Sequence, residues 1–205
     1  MEDNNFKQSI TAEEIEKLPF SSFGGKIEVI EHPGFQYTKA LAFLRKQKVI
    51  GFDTETRPCF EAHHLHHDVA LLQLSSEDRA FLFRLNKLGL RRSLCTILSN
   101  PDIIKVGAAC HDDIRALQRL RFFKPGGFVD LQRIVEQWGI SDKSVKKMSA
   151  NILGIRISKN QQLSNWEADV LTQAQQLYGA TDAWVCREMY LKLRNTQLKA
   201  LPENE

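Results

Sequence analysis

The sequence has few cysteines, and they lack the spacing of a zinc site or a disulfide scaffold. Cys59, Cys95, Cys110 and Cys186 are scattered, with no C-x-x-C pair and no histidines at zinc-finger spacing. This usage is typical of a reducing compartment. No apolar run approaches the roughly 20 residues of a membrane span, and the acidic, polar residues 1–5 are unlike a secretory signal. We therefore expect a cytoplasmic protein.

The chain also has little excess of charge of either sign. Lys and Arg number 28 against 25 Asp and Glu, a net charge of +3, which does not indicate a nucleic-acid partner unless the basic residues cluster locally. A Gly-rich phosphate loop ending in Lys-Ser/Thr is missing, which excludes a helicase motor of that type. At 205 residues with 42% hydrophobic residues, the composition is that of a globular domain with a substantial core.

The sequence predicts one domain preceded by a short arm. Residues 1–25 form the arm, in which Thr11 and Glu14 make the capping box of a short helix. The segment 23–25, Phe-Gly-Gly, is interpreted as a hinge. The domain proper is predicted at residues 26–202.

Hydrophobic patterning predicts an α/β fold for that domain. Strands are predicted at 26–29, 49–57, 69–74, 80–85, 103–107 and 128–129. Helices are predicted at 38–47, 91–98, 114–120, 131–138, 144–153 and 172–193. A hairpin follows the central strand, and strands and helices then alternate. This order predicts a mixed sheet of five to six strands with helices on both faces.

Two carboxylates stand two residues apart at the end of the central strand. Asp53 and Glu55 share one face of that strand, and two charges about 4 Å apart repel by roughly 4 kcal/mol at an effective dielectric of about 20. The pair needs a cation, a shared proton or room to separate into water. A strand that simply runs into an acidic turn is the alternative.

Further acidic residues follow at two places where local structure explains them only in part. One of Asp112 and Asp113 can cap the helix after the strand predicted at 103–107, which leaves the other at a strand end where α/β sheets place their sites. Tyr178 and Asp182 lie one turn apart on the last helix. An Asp among apolar neighbours there requires a partner.

These residues, in this order, resemble the three motifs of the DEDDy 3′–5′ exonucleases, particularly the ribonuclease D-like proteins and the exonuclease domain of the Werner syndrome helicase. The motifs are Asp53-Thr54-Glu55, then Val106-Gly107 with Asp113 and Leu117, then Tyr178-x-x-x-Asp182. The segments 69–75 and 163–166 are similar to flanking signatures of that branch. The variant family carries a histidine where this chain has Leu177, so the tyrosine type is expected.

The resemblance implies an RNase H-like three-layer fold and hydrolysis of nucleic-acid phosphodiesters from the 3′ end, releasing nucleoside 5′-monophosphates. Hard oxygen ligands suit Mg²⁺ or Mn²⁺, and two such ions about 4 Å apart can stabilise both the attacking and the leaving oxygen. By resemblance, Asp53, Glu55 and Asp182 hold one ion, Asp53 is shared with a second, and Asp113 acts on the second through water. Tyr178 would orient the water, because a phenol of pKa near 10 is a weak base.

Basic residues before the last helix are candidate phosphate contacts, with a solvated basic face as the alternative: Lys143, Lys146, Lys147, Arg156 and Lys159. The histidine run at 63–67 departs from the branch and is interpreted as an exposed loop, with phosphate or adventitious metal binding as the alternative. Thr54 is expected to face away from the carboxylates and pack. Trp166 is expected to close the core.

Three functions are consistent with these residues. The first is an active metal-dependent exonuclease whose partner is a nucleic acid with a 3′ end, with DNA slightly favoured over RNA by Asn165-Trp166. The second is a catalytically silent nucleic-acid-binding module on the same fold, which has no need for mutually repelling carboxylates. The third is a phosphatase, which Glu55 in place of a second Asp disfavours.

Overall fold

A six-stranded mixed sheet forms the centre of the protein, which the computed structural model describes at residues 2–59 and 67–198. The strand order is β1-β4-β3-β2-β5-β6. Only β3 is antiparallel to its neighbours, β2 and β4, whereas the other pairings are parallel. The strands are β1 Lys26–Ile30, β2 Val49–Thr56, β3 Val69–Ser75, β4 Arg79–Arg84, β5 Ile104–Gly107 and β6 Phe128–Asp130. The mixed sheet predicted from the sequence is confirmed.

Helices cover both faces of this sheet. They are α1 Ala12–Glu16, α2 Phe35–Leu44, α3 Leu85–Leu88, α4 Arg92–Leu98, α5 Cys110–Leu120, α6 Leu131–Ile134, α7 Val145–Leu153 and α8 Gln173–Asn195, with a 3₁₀ turn at Val135–Trp138. Ile50 and Phe52 of β2 pack with α2, α4 and α5 in one core, and α7 and α8 pack on the opposite face. None of the helices in the described residues is both long and apolar enough to span a membrane.

The contact between α8 and β2 requires a glycine. A Cβ on Gly51 would lie 1.7 Å from the carbonyl oxygen of Ala183, so any larger residue there would push the helix away from the strand. This close approach brings Asp182, next to Ala183, beside Asp53 of β2.

The arm packs against the domain. Its helix α1 has the predicted capping box between Thr11 and Glu14, and Ile10 and Ile15 pack on Ala150 of α7. In the predicted hinge, Phe23 is buried and its N–H donates to Thr181 Oγ1 at 3.1 Å. The boundary at residue 25 stays a prediction.

Several predicted helix bounds differ from the structure. α2 begins at Phe35 rather than 38, and α5 begins at Cys110 rather than 114. Neither helix has a side-chain cap at its start, so the sequence carries no start signal there. The single helix predicted at 131–138 is divided into α6 and the 3₁₀ turn, and α3 was not predicted.

Candidate active site

Three carboxylates meet where β2 and α8 touch. Asp53 and Glu55 project from β2 and Asp182 from α8, and one oxygen of each lies within 4.8 Å of the others. Asp182 is 2% exposed, whereas Asp53 and Glu55 are half-buried. Oxygen ligands from three acidic side chains at this spacing can hold a hard divalent cation.

The electrostatics of this cluster favour either protons or a cation. Burial, followed by the charges of Asp182 and Asp113, raises the pKa of Asp53 well above its ordinary value. Burial, followed by the charges of Asp53 and Asp182, raises the pKa of Glu55 to about 10. Like charges in a poorly solvated place disfavour ionisation, and a bound cation would reverse that effect.

One lysine contributes positive charge to the acidic cluster. Lys159 donates from Nζ to Asp182 Oδ2 at 2.8 Å and to the Tyr178 hydroxyl at 3.5 Å. Burial still outweighs this ion pair, so the pKa of Asp182 is raised. The other oxygen, Asp182 Oδ1, is buried without a hydrogen-bond partner among the described residues. One ammonium group compensates the charge of only one of the three carboxylates, so the cluster can still bind a cation.

Tyr178 lies beside this cluster in a packed environment. It is 5% exposed, and its ring centroid lies 5.9 Å from that of Trp166. Burial, followed by the charge of Asp182, raises its pKa. The phenol is therefore a hydrogen-bond donor at neutral pH rather than a base. Trp166 is fully buried, which confirms its expected place in the core.

Asp113 approaches from the other side of β2. It lies on α5 and accepts a 2.5 Å hydrogen bond from Thr54 Oγ1. Thr54 was expected to face away from the carboxylates and pack, but its hydroxyl donates to this fourth acidic residue. Burial raises the pKa of Asp113 to about 6, although the Thr54 hydrogen bond opposes this shift. Its neighbour Asp112 is exposed.

The other basic candidates contact acidic residues away from the cluster. Lys146 and Arg156 each lie 3.7 Å from Glu16 of the arm, and Lys147 lies 2.9 Å from Asp142. Lys143 lies 2.7 Å from Glu136, so only Lys159, of the five candidate phosphate contacts, reaches the acidic cluster in the described residues. No local pattern indicates that ion pair, because Lys159 lies in the segment between α7 and α8.

Two basic residues that come after β2 in the chain contact the same glutamate. Glu167 accepts from Arg57 Nη1 at 3.4 Å, and its other oxygen lies 3.0 Å from His67 Nδ1. His67 belongs to the predicted histidine loop, whose remaining histidines at 63, 64 and 66 lie outside the described residues.

Comparison with known proteins identifies the family. A family model described as 3′–5′ exonuclease matches residues 31–197, most of the chain. The bifunctional 3′–5′ exonuclease/ATP-dependent helicase WRN of Mus musculus is 29% identical over 194 residues, which cover 88% of this chain and 13% of that protein. Exonuclease 3′–5′ domain-containing protein 2 of Drosophila melanogaster is 33% identical over 150 residues, which cover 71% of this chain and 25% of that protein. The chain thus spans a minor part of the length of these relatives.

Solved structures share the fold. RNase D of Escherichia coli superposes with a TM-score of 0.74 at 21% identity, over 83% of this chain and 44% of that chain. The Nibbler EXO domain of Aedes aegypti superposes with a TM-score of 0.72 at 22% identity, over 85% of this chain and 91% of that chain. The resemblance to the DEDDy-type exonucleases that the motifs predict is confirmed. The chain belongs to the 3′–5′ exonuclease domain family and has an RNase H-like fold.

Proposed function

We propose that this domain is a metal-dependent exonuclease that removes nucleotides from the 3′ end of a nucleic acid and releases nucleoside 5′-monophosphates. The observation that carries the proposal is the cluster of three carboxylates within 4.8 Å, offset by the single ammonium of Lys159. A silent binding module, the second candidate, gains nothing from this unfavourable arrangement.

The cluster of three carboxylates fits a divalent cation, and we propose that it holds two such ions, Mg²⁺ or Mn²⁺. The ligand set contains only oxygens, and Asp182 Oδ1 is buried without a partner among the described residues. Asp53, Glu55 and Asp182 would hold the first ion, with Asp53 shared with the second and Asp113 acting through water. When bound, such ions lower the pKa of a water molecule and stabilise the charge that develops on phosphate oxygens.

The chain's own groups then orient the reactants. Tyr178, a neutral phenol, donates a hydrogen bond that orients the attacking water. Lys159, already beside Asp182 and Tyr178, donates to a non-bridging oxygen of the scissile phosphate. The water oxygen forms a bond to phosphorus as the bond to the 3′ oxygen of the preceding nucleotide breaks. The attacking water loses a proton, the leaving 3′ oxygen gains one and becomes the new 3′ hydroxyl of the shortened strand, and the terminal nucleotide leaves as its 5′-monophosphate.

The substrate strand can be DNA or RNA. We propose that DNA is slightly preferred over RNA, on the basis of the Asn165-Trp166 signature. The relatives' names include both an exonuclease/helicase and an exoribonuclease involved in structured RNA processing, so both strands belong in the assay. We further propose a cytoplasmic location, since Cys95, Cys110 and Cys186 are buried thiols.

The first test is cleavage by an acidic-site variant. Asp182→Asn should lower the initial rate at least 1,000-fold, because it removes the carboxylate shared by the ion site and Lys159, while the matched variant Asp112→Asn, an exposed acid, should cleave normally. The assay is a gel time course with 5′-labelled single-stranded DNA, partly duplex DNA and RNA in Mg²⁺, Mn²⁺ or EDTA. Shortening from the 3′ end, lost in EDTA, is expected. Strand binding without degradation in either metal would favour the silent module.

A further inference from the structure

A cationic surface lies in the helical layer on the opposite side of the sheet from α8. A cavity of about 930 Å³ opens between the C-terminal ends of α2 and α5 and the segment that enters α4. Four arginines line it, and we call it the arginine cavity: Arg45, Arg91, Arg92 and Arg121. None of the described residues that line it is acidic.

The guanidinium groups of the arginine cavity are available to a ligand. Arg91 and Arg121 donate through Nε to backbone carbonyls, at 3.3 Å and 2.7 Å, which orients them and leaves their outer nitrogens open. Across residues 2–59 and 67–198, the side chains of Arg45 and Arg92 have neither a hydrogen bond nor an ion pair. Four like charges around one cavity repel each other, and an anion between them would remove that repulsion.

Helix electrostatics account for only half of these arginines. Arg45 and Arg121 directly follow the C-terminal ends of α2 and α5, where positive charge is stabilising. Arg91 and Arg92 stand at the start of α4, where positive charge is unfavourable and the first turn contains no acidic residue. Local stability therefore does not explain Arg91 and Arg92, whereas phosphate recognition, which favours the planar guanidinium, does.

An exposed aromatic residue comes next in the chain after one of these arginines. Phe122 follows Arg121 directly in the chain and is 82% exposed. Basic side chains that track a backbone, combined with aromatic rings on which bases stack, are the features that bind single strands without sequence preference. The cavity and Phe122 match that chemistry better than they match a small anion alone.

Helix α5 extends from Asp113 of the acidic site to the arginine cavity. Asp113 lies near its start and Leu120, another residue lining the cavity, at its end. Seven residues at 1.5 Å each separate them by about 10 Å along the helix axis, a distance that a strand bound at both places must span. We propose that the arginine cavity is a second binding site for single-stranded nucleic acid, holding the strand upstream of the nucleotides at its 3′ end. Only the direction of the strand in this proposal rests on the proposed function.

The test is a binding measurement in EDTA, which does not require cleavage. Arg45→Ala/Arg92→Ala is compared with Lys17→Ala/Arg194→Ala, which removes the same charge from exposed positions of the arm and α8. Fluorescence anisotropy is read with a labelled 12-nucleotide strand and a labelled trinucleotide. The cavity variant should bind the long strand about tenfold more weakly, and its log-affinity against log-salt slope should fall by about 1.4, as expected for two lost phosphate contacts. Trinucleotide binding should not change, and the control should stay within twofold of wild type.

Further variants separate charge from stacking. Arg45→Lys/Arg92→Lys should restore the salt slope but only part of the affinity for the long strand, because lysine keeps the charge and loses the planar guanidinium. Phe122→Ala should weaken binding at least fivefold without changing the salt slope. Equal binding by the cavity variant and its control would overturn the proposal, as would a parallel loss for the trinucleotide. Arginine-dependent binding of pyrophosphate without arginine-dependent binding of the strand would assign the cavity to a small anion instead. Failure of the exonuclease assay alone would leave this result standing, because every titration is done without metal.

Discussion

At the scale of single residues, protons and cations compete for the acidic cluster. Burial and mutual repulsion raise the pKa values of Asp53, Glu55 and Asp182, and Lys159 only partly opposes this. A divalent cation must therefore displace protons, so metal affinity should increase as the pH rises. The half-burial of Asp53 and Glu55 leaves the site open to a strand end while keeping the repulsion strong.

Tyr178 offers a test of positioning without proton transfer. Tyr178→Phe keeps the ring that packs on Trp166 but removes the hydroxyl, so kcat should fall about 100-fold, as expected when a reactant is poorly oriented, with little change in KM. Steady-state kinetics on a short oligonucleotide would measure this. Tyr190→Phe, at a partly buried position of the same helix that packs against the core, is the matched control. A loss of less than threefold would remove Tyr178 from the mechanism.

At the scale of elements, the site depends on how closely α8 approaches β2. Gly51→Ala should lower the free energy of unfolding by about 1–3 kcal/mol, the range for overpacking, because the new methyl group would overlap the Ala183 carbonyl. Since Asp182 moves with α8, activity should fall further than stability alone explains. Urea unfolding and initial rates would measure both effects. Gly24→Ala, which meets no atom within 4 Å, should change neither, and a stable, fully active Gly51→Ala would refute the packing argument.

The same elements show what the sequence could and could not predict. The strands and α8 were predictable because β2 is an apolar run and α8 begins with a capping box at Thr172 and Gln175. The start of α5 was not, because its N-cap is Ala109 in a left-handed conformation, with φ of 59° and no capping side chain. The proximity of Asp53 to Asp182 could be predicted only from the motif resemblance, because no local sequence pattern encodes a contact between residues so far apart in the chain. The Lys159 ion pair depends on the path of a loop, which carries no periodic signal.

At the scale of the whole molecule, the arm packs on the domain through a few apolar contacts, and polar contacts surround them. Glu16 lies 3.7 Å from both Lys146 and Arg156, but exposed pairs of this kind contribute little to stability. Asp142 contributes more, because it is 8% exposed and accepts from Ile10 N at 2.8 Å and Ser9 Oγ at 3.0 Å.

The charge of Asp142 should therefore make docking of the arm sensitive to acid. Burial acts to raise its pKa, but hydrogen bonds from Lys147, Ile10 and Ser9 outweigh burial, so the pKa is lowered from 3.8. A lowered folded-state pKa stabilises the protein above the unfolded value, and that stability is lost as the pH falls through the folded value. Asp142→Asn should cost about 1–2 kcal/mol at pH 7, and its difference from wild type should persist at pH 5 and shrink below about pH 4. Urea unfolding at pH 7, 5 and 3.5 measures this, with the exposed Asp102→Asn as the control. A difference that stays constant down to pH 3.5 would mean that packing around Asp142, rather than its charge, holds the arm.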